Sequence, residues 1–357
     1  MLPKYWLVLQ SLFTLTACAD SPAPIFRPQS GGIFSAGVAG LPLPYNLSAT
    51  HTIYDPSSSS PGSYWISAFI HASNNHDYLV ISNLAANLPL GAALYRASIL
   101  DITNLSRYSQ YERVVILSDI YNSHGVLNAT FHDSGFGSIN PTDPISTLRT
   151  YSKVPGTQFD LTFETSSPAL LNGGLGTFQV DGKPAFQWSM PAGKTTGWIL
   201  VDGKKVDVIS DKSQTWYDRQ WGSIPSRFAW FQVHLSGDKA DGSEDEIFSI
   251  WTLHDNKVGD RSFATIRVGT SAQQRVVPVS WKVSSDRTFK SPTSGVTWPL
   301  DWSIQIQEGP EFQLSSIRPD QEATGLLKSY TGFLDVTATY PGGQKVSGYG
   351  VVEAIVT

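Results

Sequence analysis

The chain has 357 residues, of which 41% are hydrophobic, 12% aromatic and only 15% charged. This length and composition suffice for one large or two medium globular domains with an apolar core. The formal net charge is −5, and no basic run is longer than Lys204–Lys205. A nucleic-acid-binding protein needs a basic face, so we predict no nucleic-acid partner.

Residues 1–19 are typical of a signal peptide. Lys4 supplies a positive charge, an apolar stretch follows, and Ala17–Ala19 matches a cleavage site. The stretch is too short for a membrane span, so we expect no stable membrane insertion. Cleavage would remove Cys18, the single cysteine, and with it all thiol chemistry. The residues around Cys18 also resemble a bacterial lipoprotein box, which is the alternative.

Three N-glycosylation sequons follow, at Asn46, Asn104 and Asn128. They favour a eukaryotic secretory route over the lipoprotein alternative. About two sequons are expected by chance in a chain this rich in Ser and Thr, so their weight is small. We therefore predict a lumenal or secreted protein that is glycosylated at these positions.

Short segments of alternating polarity dominate the chain after the leader. The first clear strand begins at Tyr64, and Asn74–Asp77 matches a hairpin turn. The best candidate for a helix is short, at Pro319–Ser329. Many short strands separated by close turns are typical of sandwiches and closed barrels, so we predict an all-β protein. Its units are an N-terminal β-sandwich domain at 20–205 and a C-terminal lipocalin-like β-barrel domain at 206–357.

The segment Thr215–Gly222, TWYDRQWG, is the most informative part of the chain, and we expect it to open the C-terminal barrel. Side chains alternate across a strand, so this segment presents two faces. One face carries Trp216, Asp218 and Gln220, and the other carries Tyr217, Arg219 and Trp221. A buried Arg, or an Asp–Arg pair, can hold a carbonyl oxygen while charge builds on it. The alternative is a structural ion pair that closes one end of a barrel.

The strand Phe228–Leu235 follows, with Trp230, Gln232 and His234 on one face. Among the seven histidines, His254 is the candidate for catalysis because it lies close to the aromatic strands. An acidic loop connects the strand Phe228–Leu235 to the strand that carries His254. Its spacing fits no EF-hand, which favours a solvated hairpin tip over a calcium site.

Motifs for other chemistries are absent from the sequence. We find no H-x-x-x-H pair, no nucleotide-binding glycine loop and no G-x-S-x-G elbow, so we predict neither a metal nor a cofactor. Paired carboxylates for glycoside hydrolysis stay open, because their spacing in space cannot be read here. The chain is rich in tryptophan, which usually fills cores but also builds pockets for terpenoids or polyketides.

The order of these segments resembles the carotenoid 1,2-hydratase (hydroxyneurosporene synthase)-like family, also called AttH-type. The resemblance covers most of the chain after the leader. Its central motif is the strand Thr215–Gly222 followed by the Trp-rich strand Phe228–Leu235, and its closing strands carry Gly348, Gly350 and Glu353. It implies two lipocalin-like β-domains, a ligand pocket near their junction, and chemistry on polyenes without a cofactor.

Arg219 distinguishes this chain from the carotenoid hydratases, which tend to carry His at that position. Arg is a permanent hydrogen-bond donor, whereas adding water needs a proton donor of moderate pKa. The resemblance is therefore greatest to the fungal Diels–Alderase branch, and within it to the hetero-Diels–Alderases of meroterpenoid pathways.

We therefore predict a cofactor-independent pericyclase that folds a polyene, quinone-methide or terpenoid into one pose. The predicted catalytic residues are Arg219, Gln220, Asp218 and His254. The predicted substrate-binding residues are Trp65, Asn83, Trp216, Trp221, Trp230, Gln232 and Tyr330. Two alternatives are a non-catalytic carrier of apolar metabolites and a hydratase or dehydratase.

Overall fold

The computed structural model describes residues 24–29, 46–52, 62–88, 92–115, 120–123, 126–237, 244–271, 273–323, 325 and 328–355. The described elements are β-strands apart from helix α1 (Leu47–Thr52) and a 3-10 turn (Ser210–Lys212), which confirms the all-β prediction. The leader predicted at 1–19 lies outside these residues, so its cleavage and the secretory location stay predictions. None of the helices in the described ranges is long and apolar enough to span a membrane.

The first sheet has 14 strands and curves into a nearly closed barrel, which we call the first barrel. Its main path runs β4-β3-β2-β1-β14-β12-β9-β8-β7-β6-β5, and β10, β11 and β13 pair with the long strand β12. The strands are β1 (Gly62–His71), β2 (Asp77–Leu88), β3 (Ala92–Asp101), β4 (Tyr108–Val115), β5 (Ile120–Ser123), β6 (Val126–Phe131), β7 (Ser134–Ser138), β8 (Thr147–Ser152), β9 (Phe159–Glu164), β10 (Leu170–Leu171), β11 (Thr177–Val180), β12 (Lys183–Val201), β13 (Lys204–Asp207) and β14 (Gln214–Gly222).

The second sheet has 9 strands in the order β22-β21-β18-β17-β16-β15-β25-β24-β23. An additional β22–β24 pairing closes it into an 8-strand barrel, the second barrel. Strands β19 (Thr288–Lys290) and β20 (Thr297–Pro299) form a separate hairpin. The second-barrel strands are β15 (Phe228–Leu235), β16 (Glu246–Asp255), β17 (Gly259–Val268), β18 (Gln274–Val283), β21 (Asp301–Ile306), β22 (Glu311–Ser316), β23 (Glu322–Ala323), β24 (Ser329–Thr339) and β25 (Lys345–Ile355). The two barrels confirm the prediction of two lipocalin-like domains.

Strand β14 belongs to the first barrel, although the sequence analysis assigned it to the unit 206–357. It lies between β1 and β12, and Asp218 is opposite Trp65 on one side and Ser189 on the other. By sheet membership the N-terminal unit therefore continues to Gly222 and does not end at residue 205. The strand that returns to the first strand of a barrel has no local signal in the sequence, because its partner is distant along the chain.

The short helix predicted at Pro319–Ser329 is wrong. The described residues there include strand β23 and the first residue of β24, and Glu322 pairs with Tyr330 in an antiparallel ladder. Pairing with a neighbouring strand overrides a weak local preference for helix.

Three apolar clusters hold the molecule together: one inside each barrel and one between them. The cluster between the barrels, which we call the junction, joins the outer faces of β1, β2 and β14 to those of β15, β16 and β25. Its largest members are Trp65, Phe69, Trp216, Trp230, Trp251 and Tyr349. Strand β15 is buried along its whole length because one face lies inside the second barrel and the other lies in the junction.

The segment 24–29 crosses the junction. The Phe26 ring lies 5.5 Å from the Phe69 ring and 5.0 Å from the Tyr349 ring, centroid to centroid. The backbone N–H of Gln29 donates to Ala192 O at 2.8 Å. This segment therefore contacts both barrels, and its burial adds to the apolar surface that keeps them together.

Candidate active site

Consecutive side chains of strand β14 point to opposite faces of the first sheet. Tyr217 lies in the cluster inside the first barrel, and Arg219 contacts Tyr64 of that same cluster. Trp216 lies in the junction, and the side chain of Asp218 accepts a hydrogen bond from it. The alternation predicted for this segment is therefore correct, and it divides the predicted residues between two places.

Arg219 is 4% exposed, and its guanidinium donates hydrogen bonds to backbone carbonyls. Its Nε donates to Thr50 O at 3.0 Å, and its Nη1 donates to Ser63 O at 3.5 Å and to Gln220 O. Its Cζ lies 4.4 Å from the centroid of the Tyr64 ring, which is a cation–π geometry. These contacts make Arg219 a positioning residue that ties α1 to β1 and β14. The polarisation of a substrate carbonyl by Arg219 stays a prediction.

Helix α1 carries His51 into the first barrel. The Oδ1 atom of Asn46 caps the helix by accepting the backbone N–H of Ala49 at 2.9 Å. Trp188 Nε1 donates to Thr50 Oγ1 at 3.0 Å, which adds a second anchor beside that of Arg219. His51 is 0% exposed as a result, although so short a helix is not stable by itself.

The imidazole of His51 is part of a hydrogen-bond chain whose direction can be assigned. Ser138 has one hydroxyl proton, which it donates to Pro144 O at 2.6 Å. Ser138 Oγ must therefore accept from His51 Nε2, 3.1 Å away, so Nε2 carries the imidazole proton. His51 Nδ1 is then an acceptor, and the Tyr217 hydroxyl 2.7 Å away donates to it. The tautomer follows from counting protons along the chain.

Both groups of this Tyr217–His51 pair are neutral. Burial, together with the nearby positive charge of Arg219, lowers the pKa of His51 to about 3. Burial raises the pKa of Tyr217 well above its usual value, which the Arg219 charge partly opposes. A neutral imidazole that accepts from a phenol is a base that can receive the phenol proton when the phenol oxygen takes up another.

On the junction side, Asp218 is a buried carboxyl that accepts hydrogen bonds from Ser189, Trp216 and Gln187. Trp216 Nε1 donates to its Oδ1 at 2.8 Å, and Gln187 Nε2 donates to its Oδ2 at 2.9 Å. Gln187 Oε1 accepts in turn from Trp251 Nε1 of the second barrel at 2.8 Å. Burial raises the pKa of Asp218 to about 7, against the opposing effect of these donors. Asp218 can therefore act as a proton donor near neutral pH.

A row of predicted residues continues across the junction from Asp218. Trp65 is opposite both Asp218 and Asn83, and its ring makes an edge contact with that of Trp230 at 5.9 Å. Asn83 Oδ1 accepts from Arg96 Nε at 3.1 Å, and Arg96 forms an ion pair with Glu353 of the second barrel. Gln232 lies in the same contact region and accepts from Ser67 Oγ at 2.6 Å. The structure thus brings Trp65, Asn83, Trp216, Asp218, Trp230 and Gln232 together at the junction.

Gln220 and Trp221 lie at the end of β14. Trp221 stacks on Phe186 with ring centroids 5.1 Å apart, beside the cluster inside the first barrel. Gln220 is half-buried, and its Nε2 has no hydrogen-bond partner within the described ranges.

Two predicted site residues lie elsewhere. His254 is at the end of β16 with 43% of its side chain exposed, where its Nδ1 pairs with Asp260 Oδ1 at 2.7 Å. Tyr330 lies inside the second barrel, and its hydroxyl contacts Ser316 Oγ at 2.7 Å. The hairpin β16–β17 turns beside His254, which places this side chain outside the junction. Neither residue joins the Tyr217–His51 pair or the row beside Asp218.

The sequons are accessible at the surface. Asn46 and Asn128 are exposed, and Asn104 is partly exposed. Thr130 Oγ1 donates to Asn128 Oδ1 at 3.1 Å. Glycosylation at these positions stays a prediction. So does the absence of a metal or a cofactor.

His51 was not predicted from the sequence, and no role was predicted for Tyr217. No motif surrounds His51, and α1 is too short to show a helical period. The single available signal was the position of Tyr217 beside Arg219 on one strand face.

The chain is similar to known proteins in both sequence and structure. A family model described as AttH-like matches residues 128–354. Kievitone hydratase of Fusarium solani subsp. phaseoli is 34% identical over 84% of this chain and 83% of its own length. Dehydratase asqC of Emericella nidulans is 28% identical over 98% of each chain. The crystal structure of kievitone hydratase from Nectria haematococca, 33% identical, covers 93% of this chain and 98% of that one with a TM-score of 0.81.

A more distant structure shows the same fold. A Nitrosomonas europaea protein described under the AttH name is 16% identical, covers 90% of this chain and 99% of that one, and superposes with a TM-score of 0.67.

Replacing Asp218 by Asn is expected to change the pH dependence of stability. The carboxyl has a pKa of about 7 in the folded protein against a reference value of 3.8. The stabilising contribution of the Asp218 carboxyl to folding is therefore fully present below pH 3.8, and it is lost as the pH rises through about 7. We compare the free energy of unfolding of the wild type with that of Asp218→Asn. The difference, wild type minus variant, should fall by at most about 4 kcal/mol between pH 3.8 and about pH 7.

Urea titrations of both proteins at several pH values measure this difference. The buried His51 and His234, whose pKa values are lowered to about 3, act in the opposite direction but are common to both proteins and cancel. A difference that stays constant with pH would show that Asp218 is ionised in the fold.

Proposed function

Because the chain belongs to the AttH-like family, we propose that it is an enzyme that adds water to, or removes water from, a small apolar secondary metabolite. Two relatives are named as a hydratase and a dehydratase, and both matches extend over most of this chain. The observation that carries the proposal is the neutral Tyr217–His51 pair inside the first barrel. A reaction that moves water needs one group that takes up a proton and returns it, and this pair has that capacity.

The proton balance of the pair closes without a cofactor. In the elimination direction, the Tyr217 oxygen takes a proton from carbon while the phenol proton moves to His51 Nδ1. The carbon–oxygen bond then breaks, and the proton returns through Tyr217 to the leaving hydroxyl, which departs as water. Addition of water follows the same steps in reverse. The negative charge left on the substrate carbon lies beside Tyr217, where the guanidinium of Arg219, fixed on the carbonyl of Thr50, stabilises it.

Water exclusion also favours chemistry at this position. Tyr217 and His51 are both 0% exposed, and Trp188 and Phe136 pack against the Tyr217 ring at 5.5 and 5.7 Å. In such surroundings a proton exchanges with the substrate rather than with bulk solvent. An apolar substrate with a flat or conjugated skeleton would match these aromatic neighbours.

A second candidate is the cofactor-independent Diels–Alder or hetero-Diels–Alder cyclisation predicted from the sequence. The raised pKa of Asp218, about 7, favours it, because a protonated carboxyl can donate a hydrogen bond to a substrate carbonyl. Trp65, Trp216 and Trp230 around it would shape an apolar wall for a polyene, quinone-methide or terpenoid. In this candidate the reaction occurs at the junction.

The reaction is tested by adding purified protein to a metabolite extract of a strain that lacks the gene. We expect one metabolite to be consumed and a product to appear that differs in mass by one water. Heavy-oxygen water should label the product in the hydration direction. A product of unchanged mass would support cyclisation instead, and binding without any conversion would leave the carrier alternative.

Tyr217→Phe is expected to lower kcat by about 100-fold or more, because it removes the group that exchanges the proton. Tyr95→Phe is the matched control, since Tyr95 is equally buried in the first barrel and its hydroxyl contacts Ser82 Oγ at 2.8 Å. Steady-state turnover of the metabolite identified above measures both variants. Equal turnover of the two variants, each folded by circular dichroism, would exclude the Tyr217–His51 pair as the proton-transfer site.

A further inference from the structure

A separate cavity opens at the opposite end of the first barrel from Trp221. It has a volume of about 410 Å³ and lies against β3, β4 and the end of β12. We call it the distal cleft, lined in part by Tyr78, Ile99, Arg107, Gln158, Leu200 and Asp202. A cavity of this size falls within the range of small-molecule sites. The row at the junction and the Tyr217–His51 pair both lie outside its lining.

The floor of the distal cleft is apolar. Ile99 and Tyr78 are buried members of the cluster inside the first barrel, and they line the cleft from below. Val201 is half-buried, lines the cleft and packs against the same cluster. Apolar surface at the base of a concave site binds an apolar ligand by releasing water.

The ion pairs at the rim leave a net negative charge, because Arg107 pairs with both Asp101 and Asp202. Arg107 Nη1 lies 3.3 Å from Asp101 Oδ2, and Arg107 Nη2 lies 2.7 Å from Asp202 Oδ2. Asp101 also accepts from His76 Nδ1 at 2.9 Å. Two carboxylates hold one guanidinium, so no positive charge remains to bind an anion. A carboxylate or phosphate ligand would be repelled by this charge, whereas an uncharged ligand would not.

Two polar groups remain for a ligand. Asn74 Nδ2 donates to the Tyr78 hydroxyl at 2.7 Å, which leaves the hydroxyl proton of Tyr78 available to a further acceptor. The side-chain amide of Gln158 makes no hydrogen bond within the described ranges, and it can both donate and accept. The two groups together match a ligand with hydroxyl or carbonyl oxygens.

We propose that the distal cleft is a second binding site, for an uncharged, apolar ring compound that carries one or two hydroxyl or carbonyl oxygens. The ring contacts Val201 and Ile99, and an oxygen accepts from Tyr78 while another contacts Gln158. The site is independent of the water-transfer reaction proposed above, because it shares no residue with the Tyr217–His51 pair.

Equilibrium dialysis of the full chain with naphthol tests this assignment, with naphthoate as the anionic analogue of the same shape. Naphthol should bind saturably and at least about tenfold more tightly than naphthoate. Val201→Trp fills the cleft and should weaken naphthol binding by about tenfold or more. Tyr78→Phe should weaken it less, because one hydrogen bond is lost.

Val258→Trp is the matched control, because Val258 is a 59% exposed apolar residue on the β16–β17 hairpin, outside the cleft. It should leave naphthol affinity unchanged. Naphthol that binds Val201→Trp as tightly as the wild type would assign the probe to another cavity and overturn the proposal. So would the absence of saturable binding, or naphthoate binding as tightly as naphthol.

Discussion

One hydroxyl proton, that of Ser138, sets the direction of the buried hydrogen-bond chain on which the candidate site depends. Since Ser138 donates to Pro144 O, the imidazole of His51 must donate to Ser138 and accept from Tyr217. If Ser138 instead donated to His51 Nε2, the imidazole proton would lie on Nδ1, and the Tyr217 hydroxyl would face an N–H group. The pair would then have no base. A contact at the barrel wall therefore determines which chemistry is available inside the barrel.

Strand β14 couples this site to the junction, because consecutive residues face opposite ways. Tyr217 contributes to the first barrel and Asp218 to the contact between barrels, so neither side of the strand is solvated. Burial on both sides explains why two adjacent residues have pKa values raised from their usual range. It also explains the aromatic density of this stretch, since both faces need large apolar side chains to fill space.

The sequence allowed the strand content, the alternation of β14 and the family to be predicted. Periodicity is a local property, and the motif Thr215–Gly222 is specific. The partners of β14 were not predictable, because pairing between β1 and β14 joins distant parts of the chain. His51 was not predictable for the same reason. Its role depends on Arg219 and Trp188, which hold α1 from strands far along the sequence. Arg219 was recognised as buried and important, but not as an anchor for backbone.

Nitrogen NMR of the His51 ring is the most direct test of this assignment, with the signals identified by their loss in His51→Gln. We expect Nδ1 to show the shift of an unprotonated ring nitrogen, and Nε2 to carry a proton, from neutral pH down to the acid limit of folding. A protonated Nδ1, or an imidazolium at neutral pH, would contradict the proton order from Tyr217 through His51 to Ser138.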